Sequence, residues 1–157
     1  MKSKVYLETS IIGYLTSRPS RDLIIAANQQ ITQEWWQLRR SAFDLYVSEL
    51  VIQEASAGDK NAAEQRLQAL EDIPELKLSE EIVTLAERLI KDGSLPQNAV
   101  EDALHIAIAT LNGIDYLLTW NFKHLANATM RYKIEGVCRL LGYEPPVICT
   151  PQELLEE

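Results

Sequence analysis

Glu8, Glu54 and Asp102 are far apart in the chain, yet each falls where an apolar segment meets a helix start. Asn121 follows a fourth such segment, Tyr116-Leu117-Leu118-Thr119-Trp120. Carboxylate and amide oxygens delivered to the carboxyl edge of a parallel sheet form the donor set that hard divalent cations prefer, with several waters completing the shell. The chemistry this suggests is metal-assisted attack on a phosphodiester. Each residue also has a plainer account. Asp102, in the first turn of an apolar helix, gains about 0.3 to 1 kcal/mol from the helix dipole without any metal. Glu54 fits an ordinary amphipathic helix, and Asn121 can cap residues 122–125, which read as helical. Glu8 is harder to explain blandly: a Glu that ends an apolar strand incurs a desolvation penalty unless solvent, a cation or a hydrogen-bond donor meets it.

Two histidines lie near these positions. His105, one turn after Asp102 on the apolar helix, reads as a structural residue bonded to backbone or carboxylate. His124, three residues past Asn121, stays open to either role. The chain holds no Gly-x-Gly-x-x-Gly or Walker-type loop and no Gly-x-Ser-x-Gly elbow. These absences argue against a dinucleotide site, a nucleoside-triphosphate site and a serine hydrolase.

The elements that must position these residues alternate. Lys4 to Leu7 is a short strand, with Thr9-Ser10 opening a helix directly behind Glu8. An amphipathic helix runs from Leu23 to Arg40, with Ile24, Ala27, Ile31, Trp35 and Leu38 three or four apart. Ala42 to Ser48 is a second strand, and Ser48 caps a helix that carries Glu54 and ends at Gly58. Helical spacing over Asn61 to Leu70, a brief strand Leu76 to Leu78 and a helix from Glu80 to Lys91 follow. Asn98 to Leu111 is the most apolar helix and should be largely buried. Tyr116 to Trp120 is a strand, Thr129 to Leu141 a helix and Val147 to Cys149 the last strand, with Thr150-Pro151 starting a terminal turn. Strands alternating with helices imply a parallel sheet covered on both faces.

The chain has 157 residues, 46% of them hydrophobic and 24% charged. A single domain spanning 1–157 is expected, burying about 70% of the unfolded surface. No run approaches the roughly 18 apolar residues that span a membrane, and the acidic Glu8 interrupts what would be a signal peptide, so a cytoplasmic protein is expected. Cys138 and Cys149 lack metal-binding spacing and read as buried free thiols. A net charge of −8 argues against gripping nucleic acid by bulk electrostatics. A nucleic-acid substrate would need divalent metal and a local basic rim, for which Arg18, Arg21, Lys123 and Arg131 are candidates.

Four segments in order, Val5 to Ile12, Ser48 to Glu54, Glu101 to Ala107 and Tyr116 to Leu125, resemble the four motifs of the PIN domain family, in its VapC-like toxin group. The resemblance covers Lys4 to about Pro151. It implies a three-layer α/β/α nuclease fold with a central, mostly parallel sheet of four to five strands, Mg2+ or Mn2+ as cofactor, an RNA substrate and an antitoxin protein that blocks the site. Carried over residue by residue, Glu8 takes the place of the first-strand Asp, Glu54 and Asp102 are the second and third acids, and Asn121 holds a position often occupied by Asp. Glu8, Asp102 and Glu54 would hold the metal, with Thr9, Ser10 and Thr119 as supporting hydroxyls. Two departures matter. Glu8 adds a methylene against a metal shell that tolerates little error, and Asn121 removes a negative charge, so one strongly held ion is the safer expectation.

The reading that follows is a metal-dependent ribonuclease of the toxin type. One alternative is a catalytically weak or inactive relative that binds RNA or a partner protein, and another is a DNA nuclease. Trp35-Trp36 adds a weaker expectation. Adjacent helical residues point about 100° apart, so one ring could serve a homodimer interface or an antitoxin groove while the other enters the core.

Overall fold

The computed structural model describes residues 1–93 and 95–155. Ser94, Glu156 and Glu157, which the expected domain span of 1–157 includes, lie outside the described residues. Among the described residues five strands form one sheet: β1 (Ser3–Leu7), β2 (Phe43–Ser48), β3 (Glu75–Leu76), β4 (Tyr116–Leu118) and β5 (Val147–Cys149). They are ordered β3-β2-β1-β4-β5, and every pairing is parallel. Among the described residues seven α-helices connect them: α1 (Thr9–Thr16), α2 (Leu23–Leu38), α3 (Glu49–Ala55), α4 (Lys60–Ala69), α5 (Glu80–Lys91), α6 (Val100–Leu111) and α7 (Ala128–Leu140). The helices flank the sheet in a three-layer α/β/α arrangement, α1 packing against α2, α3 and α4, and α5 against α6 and α7.

The central strand shows why both faces must be covered. Val5, Tyr6 and Leu7 are consecutive, so they point alternately to opposite faces, and all three are fully buried. α6 is buried almost all round, through Ala103, His105, Ile106, Ala107, Ile108, Ala109 and Thr110, as its unbroken apolar sequence requires. Gly113 ends it at a positive φ of 65°, which releases the chain into β4.

The sheet order reverses at β1. From β1 the chain proceeds to β2 and β3 on one side, and β4 and β5 fill the other. The carboxyl ends of β1 and β4 therefore flank the switch point where ligands of open parallel sheets bind. The register places Leu7 opposite Leu118, so the residues that leave the two strands, Glu8 and Thr119, emerge side by side. The Glu8 amide continues the ladder by donating to the Leu118 carbonyl at 3.1 Å.

Several boundaries and faces differ from expectation. The third strand is Glu75–Leu76, earlier than Leu76 to Leu78, because only Val47 and Ser48 extend far enough to pair with it. Residues 122–125 form a turn with no helix. α2 stops at Leu38, short of the expected Arg40, which opens a 3-10 turn, and its inner face differs: Gln29, Thr32 and Trp35 are buried, whereas Leu23 and Ile24 are 85% and 74% exposed. Local polar demands override the apolar periodicity. The Gln29 amide donates to Ser17 Oγ and to the Arg18 carbonyl and accepts from the Ser20 amide, pinning the α1–α2 loop. Thr32 Oγ1 accepts from Trp120 Nε1 at 2.7 Å. Trp35 fills the core, and Trp36 is half-buried beneath the Arg40 guanidinium, 4.0 Å from its ring centre.

No helix among the described residues is long and apolar enough to cross a membrane. Cys138 and Cys149 are both buried free thiols. Burial raises the pKa of the Cys138 thiol. At Cys149, burial and the nearby Glu153 charge push it up to about 12. Neither thiol should react with iodoacetamide in the native protein, and both should react once it is unfolded in denaturant. Mass spectrometry that finds rapid native labelling of either would contradict this burial.

Candidate metal centre

Glu8 leaves β1 directly into the amino terminus of α1. It is only 6% exposed, and two hydroxyls meet it: Ser10 Oγ donates to its Oε1 at 2.5 Å and Thr119 Oγ1 to the same oxygen at 2.6 Å. Each hydroxyl also accepts a backbone N–H, Ser10 from Trp120 at 2.9 Å and Thr119 from Asn121 at 2.9 Å. The amides thus polarise the hydroxyls, which donate hydrogen bonds to the carboxylate. The donors that an acid at the end of a buried strand requires come from the first turn of α1 and from the residue that follows β4. Glu8 Oε2 makes no hydrogen bond among the described residues and is open to a further partner.

Glu54 reaches the same edge from α3, whose start Ser48 caps by accepting the Val51 amide. Its Oε1 accepts Thr9 Oγ1 at 2.5 Å and lies 2.7 Å from His105 Nε2. The two neighbouring hydroxyls thus divide their work, Thr9 serving Glu54 and Ser10 serving Glu8. Burial opposes the charge on Glu54, but the hydrogen bond and charge of His105, with further hydrogen bonds from Glu101 and Thr9, prevail and hold its pKa at about 2. Burial likewise opposes a charge on His105, and the hydrogen bond to Glu54 together with the Glu8, Glu54 and Asp102 carboxylates raises its pKa on balance. The Glu101 carboxyl is bonded to Glu54, and that contact and the Glu54 charge raise its pKa.

Asp102 sits one turn before His105 on α6. Its Oδ1 accepts Asn121 Nδ2 at 3.0 Å, and its Oδ2 lies 2.6 Å from His124 Nδ1. Asn121 Oδ1 accepts the His124 amide at 3.1 Å, so Asn121 both closes the turn after β4 and holds Asp102. The edge therefore carries two clusters: Glu8 with Glu54 and His105, and Asp102 with Asn121 and His124. In the first, one donor atom from each residue lies within 4.8 Å of the others, a spacing able to surround a metal ion. Asp102 lies outside that group, beside it on the same helix.

The first cluster fits a divalent cation. Two carboxylates, Glu8 and Glu54, converge at a half-buried edge, and Glu8 Oε2 has no hydrogen bond among the described residues. Like charges so gathered are relieved by a cation. Among the basic candidates, Arg18, Arg21 and Lys123 are exposed, whereas the Arg131 guanidinium donates to the Ile148 carbonyl at 2.8 Å and anchors β5.

His105 and Glu101 do not follow from the four-motif pattern. A signal for them was nevertheless present: positions 101 and 105 are four apart and share one helix face, and a histidine on a buried face requires a buried partner. Glu54 is the partner of both.

The domain is thus a parallel α/β sheet with acids gathered at its switch point. The PIN domain family matches residues 5–127, and the chain belongs to that family. Among solved structures the chain is similar to VapBC2 from Rickettsia felis bound to a DNA fragment from their promoter. That likeness has a TM-score of 0.59 at 15% identity, over 94% of this chain and 98% of the other. It is also similar to VapC20 of Mycobacterium tuberculosis, a sarcin-ricin loop cleaving toxin, with a TM-score of 0.59 at 13% identity over 76% and 91% of the two chains. At such identities the likeness is one of fold. No curated protein matches the chain in sequence.

Proposed function

We propose that the 157-residue chain acts as one nuclease domain, a Mg2+- or Mn2+-dependent ribonuclease of the toxin-antitoxin kind working in the cytoplasm. The observation that carries this is the convergence of Glu8, Glu54 and His105 within 4.8 Å at the sheet's switch point, with Asp102 adjacent. When bound there, a divalent cation polarises a phosphoryl oxygen and lowers the pKa of a water. Glu8 and Glu54 would hold it, with Asp102 beside them as the third acid, an oxygen donor set that suits Mg2+ and Mn2+ alike. The protein's own part is to fix the acids before the substrate arrives. Ser10 and Thr119 clamp Glu8, Thr9 and His105 clamp Glu54, and Asn121 and His124 clamp Asp102, so the acids need little reorganisation.

RNA as the substrate is supported by the likeness to VapC20, and a partner antitoxin by the likeness to VapBC2. A homodimer interface is proposed at the end of α2, where the half-buried Trp36 ring lies beneath the Arg40 guanidinium. Arg18, Arg21 and Lys123 are proposed to meet the RNA backbone. One specific observation favours the weakly catalytic alternative: both Asp102 oxygens are already engaged, by Asn121 and His124.

The purified protein should cleave single-stranded RNA in Mn2+ and not in EDTA. Asp102→Asn, which removes the charge and leaves the packing, should reduce that cleavage by about 100-fold or more. A gel assay with RNA and DNA of one sequence checks both the metal requirement and the substrate. Undiminished cleavage by the variant would overturn the assignment, and equal cleavage of the DNA would remove the restriction to RNA.

A further inference from the structure

We infer that His105 is a positioning residue that donates from Nε2 to Glu54 rather than a ligand of the cation, with Tyr6 holding the other side of its ring. The inference rests on the metal-site reading above and concerns which first-cluster atoms remain available to an ion.

The observation is a continuous buried chain of hydrogen bonds. The Val51 amide donates to Ser48 Oγ at 3.2 Å, Ser48 Oγ lies 2.8 Å from Tyr6 OH, Tyr6 OH lies 2.6 Å from His105 Nδ1, and His105 Nε2 lies 2.7 Å from Glu54 Oε1. Ser48, Tyr6 and His105 are at most 1% exposed, so water cannot supply a missing partner. The two ends set the direction. Ser48 Oγ accepts the Val51 N–H, so its own hydrogen goes to the one other polar atom bonded to it among the described residues, the Tyr6 oxygen. The Tyr6 hydrogen then goes to Nδ1. At the far end Glu54 Oε1 is a carboxylate oxygen, which accepts and cannot donate. Nε2 therefore carries a hydrogen, and with Nδ1 accepting, every hydrogen in the chain has an acceptor. If the ring were charged, Nε2 would still carry its hydrogen toward Glu54.

A nitrogen that carries a hydrogen has no lone pair for a metal. To act as a ligand, His105 would have to give up the Glu54 contact and place a hydrogen on Nδ1, turning the Tyr6 hydroxyl back toward Ser48 and stranding the Ser48 hydrogen in the core. The alternative reading of the 4.8 Å cluster, with His105 as a third ligand, thus breaks a buried chain at two points. A positioning His105 keeps the chain whole and aims Glu54. Because the chain links β1, β2 and α6, it also ties the orientation of this acid to strand packing.

The test combines two readouts on the full chain. In the metal-free protein labelled with 15N-histidine, long-range 1H–15N spectra should show His105 protonated at Nε2. In Mn2+ titrations followed by electron paramagnetic resonance, Tyr6→Phe should retain the fold and weaken Mn2+ affinity by about 10- to 100-fold, the usual range for loss of an outer partner. The Mn2+-loaded wild type should show no directly coordinated nitrogen in its echo-envelope modulation. A bare Nε2 in the metal-free protein, coordinated nitrogen in the loaded one, or unchanged affinity in a folded Tyr6→Phe protein would each overturn the inference. Should Tyr6→Phe fail to fold, the two wild-type spectra decide. Failure of the underlying metal reading is distinct, because the wild type would then take up no Mn2+.

Discussion

Glu8→Gln should abolish metal-dependent cleavage and at the same time make the metal-free protein more stable. The Gln side-chain oxygen can stand where Glu8 Oε1 now accepts Ser10 and Thr119, so the hydroxyl relay from the Trp120 and Asn121 amides survives. What disappears is a charge on a residue that is 6% exposed and lies within a few ångströms of Glu54. Removing a buried charge from such company is worth about 1 kcal/mol, or roughly 2 to 4 °C in melting temperature for a chain of this length. Mn2+ at about 100 times its dissociation constant should stabilise the wild type by about 2.7 kcal/mol and the variant hardly at all. Cleavage should fall by about 100-fold or more. Calorimetry in EDTA and in Mn2+, beside the cleavage assay, checks all three effects. A variant that melts lower in EDTA yet responds to Mn2+ like the wild type would show that Glu8 is a structural residue.

That pairing of gain and loss follows from where Glu8 sits, and its position was largely legible in the sequence. An acid directly after an apolar strand, with a Ser and a Thr following, could be placed at the sheet edge from local pattern alone, because each of those features is contiguous. α5 and the strand at Val147 to Cys149 were legible for the same reason. Contacts between elements were not. Glu54 and His105 are 51 residues apart, and Asp102 and His124 are 22 apart. Periodicity can say that α6 is buried on all sides, but not which of its faces meets α3. The inner face of α2 was misjudged on similar grounds. Its apolar stripe predicted burial of Ile24 and Leu38, yet the helix turns Gln29 and Thr32 inward to serve a loop and the Trp120 indole. A polar side chain whose partner lies on another element leaves no mark in the hydrophobic pattern. Glu101 shows the limit most clearly: as an exposed acid in a helix's first turn it needs no explanation, and only the fold brings it against Glu54.

The Asp102 cluster invites the opposite experiment, in which a charge is added. Asn121 Nδ2 donates to Asp102 Oδ1 at 3.0 Å while Asn121 Oδ1 accepts the His124 amide. Asn121→Asp keeps the second bond and converts the first into a contact between two carboxylate oxygens. In EDTA this should destabilise the protein by about 1 to 3 kcal/mol, the cost of a lost donor at a half-buried acceptor, seen as a melting temperature lower by several degrees. In Mn2+ the sign should reverse, because two facing carboxylates are a better cation site than a carboxylate and an amide. An affinity gain of about tenfold corresponds to 1.4 kcal/mol, enough to recover much of the loss. Cleavage in Mn2+ should rise with it. The natural Asn121 then stands as a neutral bridge that keeps Asp102 satisfied in the metal-free protein and lowers its pull on a second ion. Identical melting shifts in EDTA and in Mn2+ would show that Asn121 serves only the turn after β4. A reversal in Mn2+ would instead place Asp102 in the same charge balance as Glu8 and Glu54, despite its lying outside their 4.8 Å cluster.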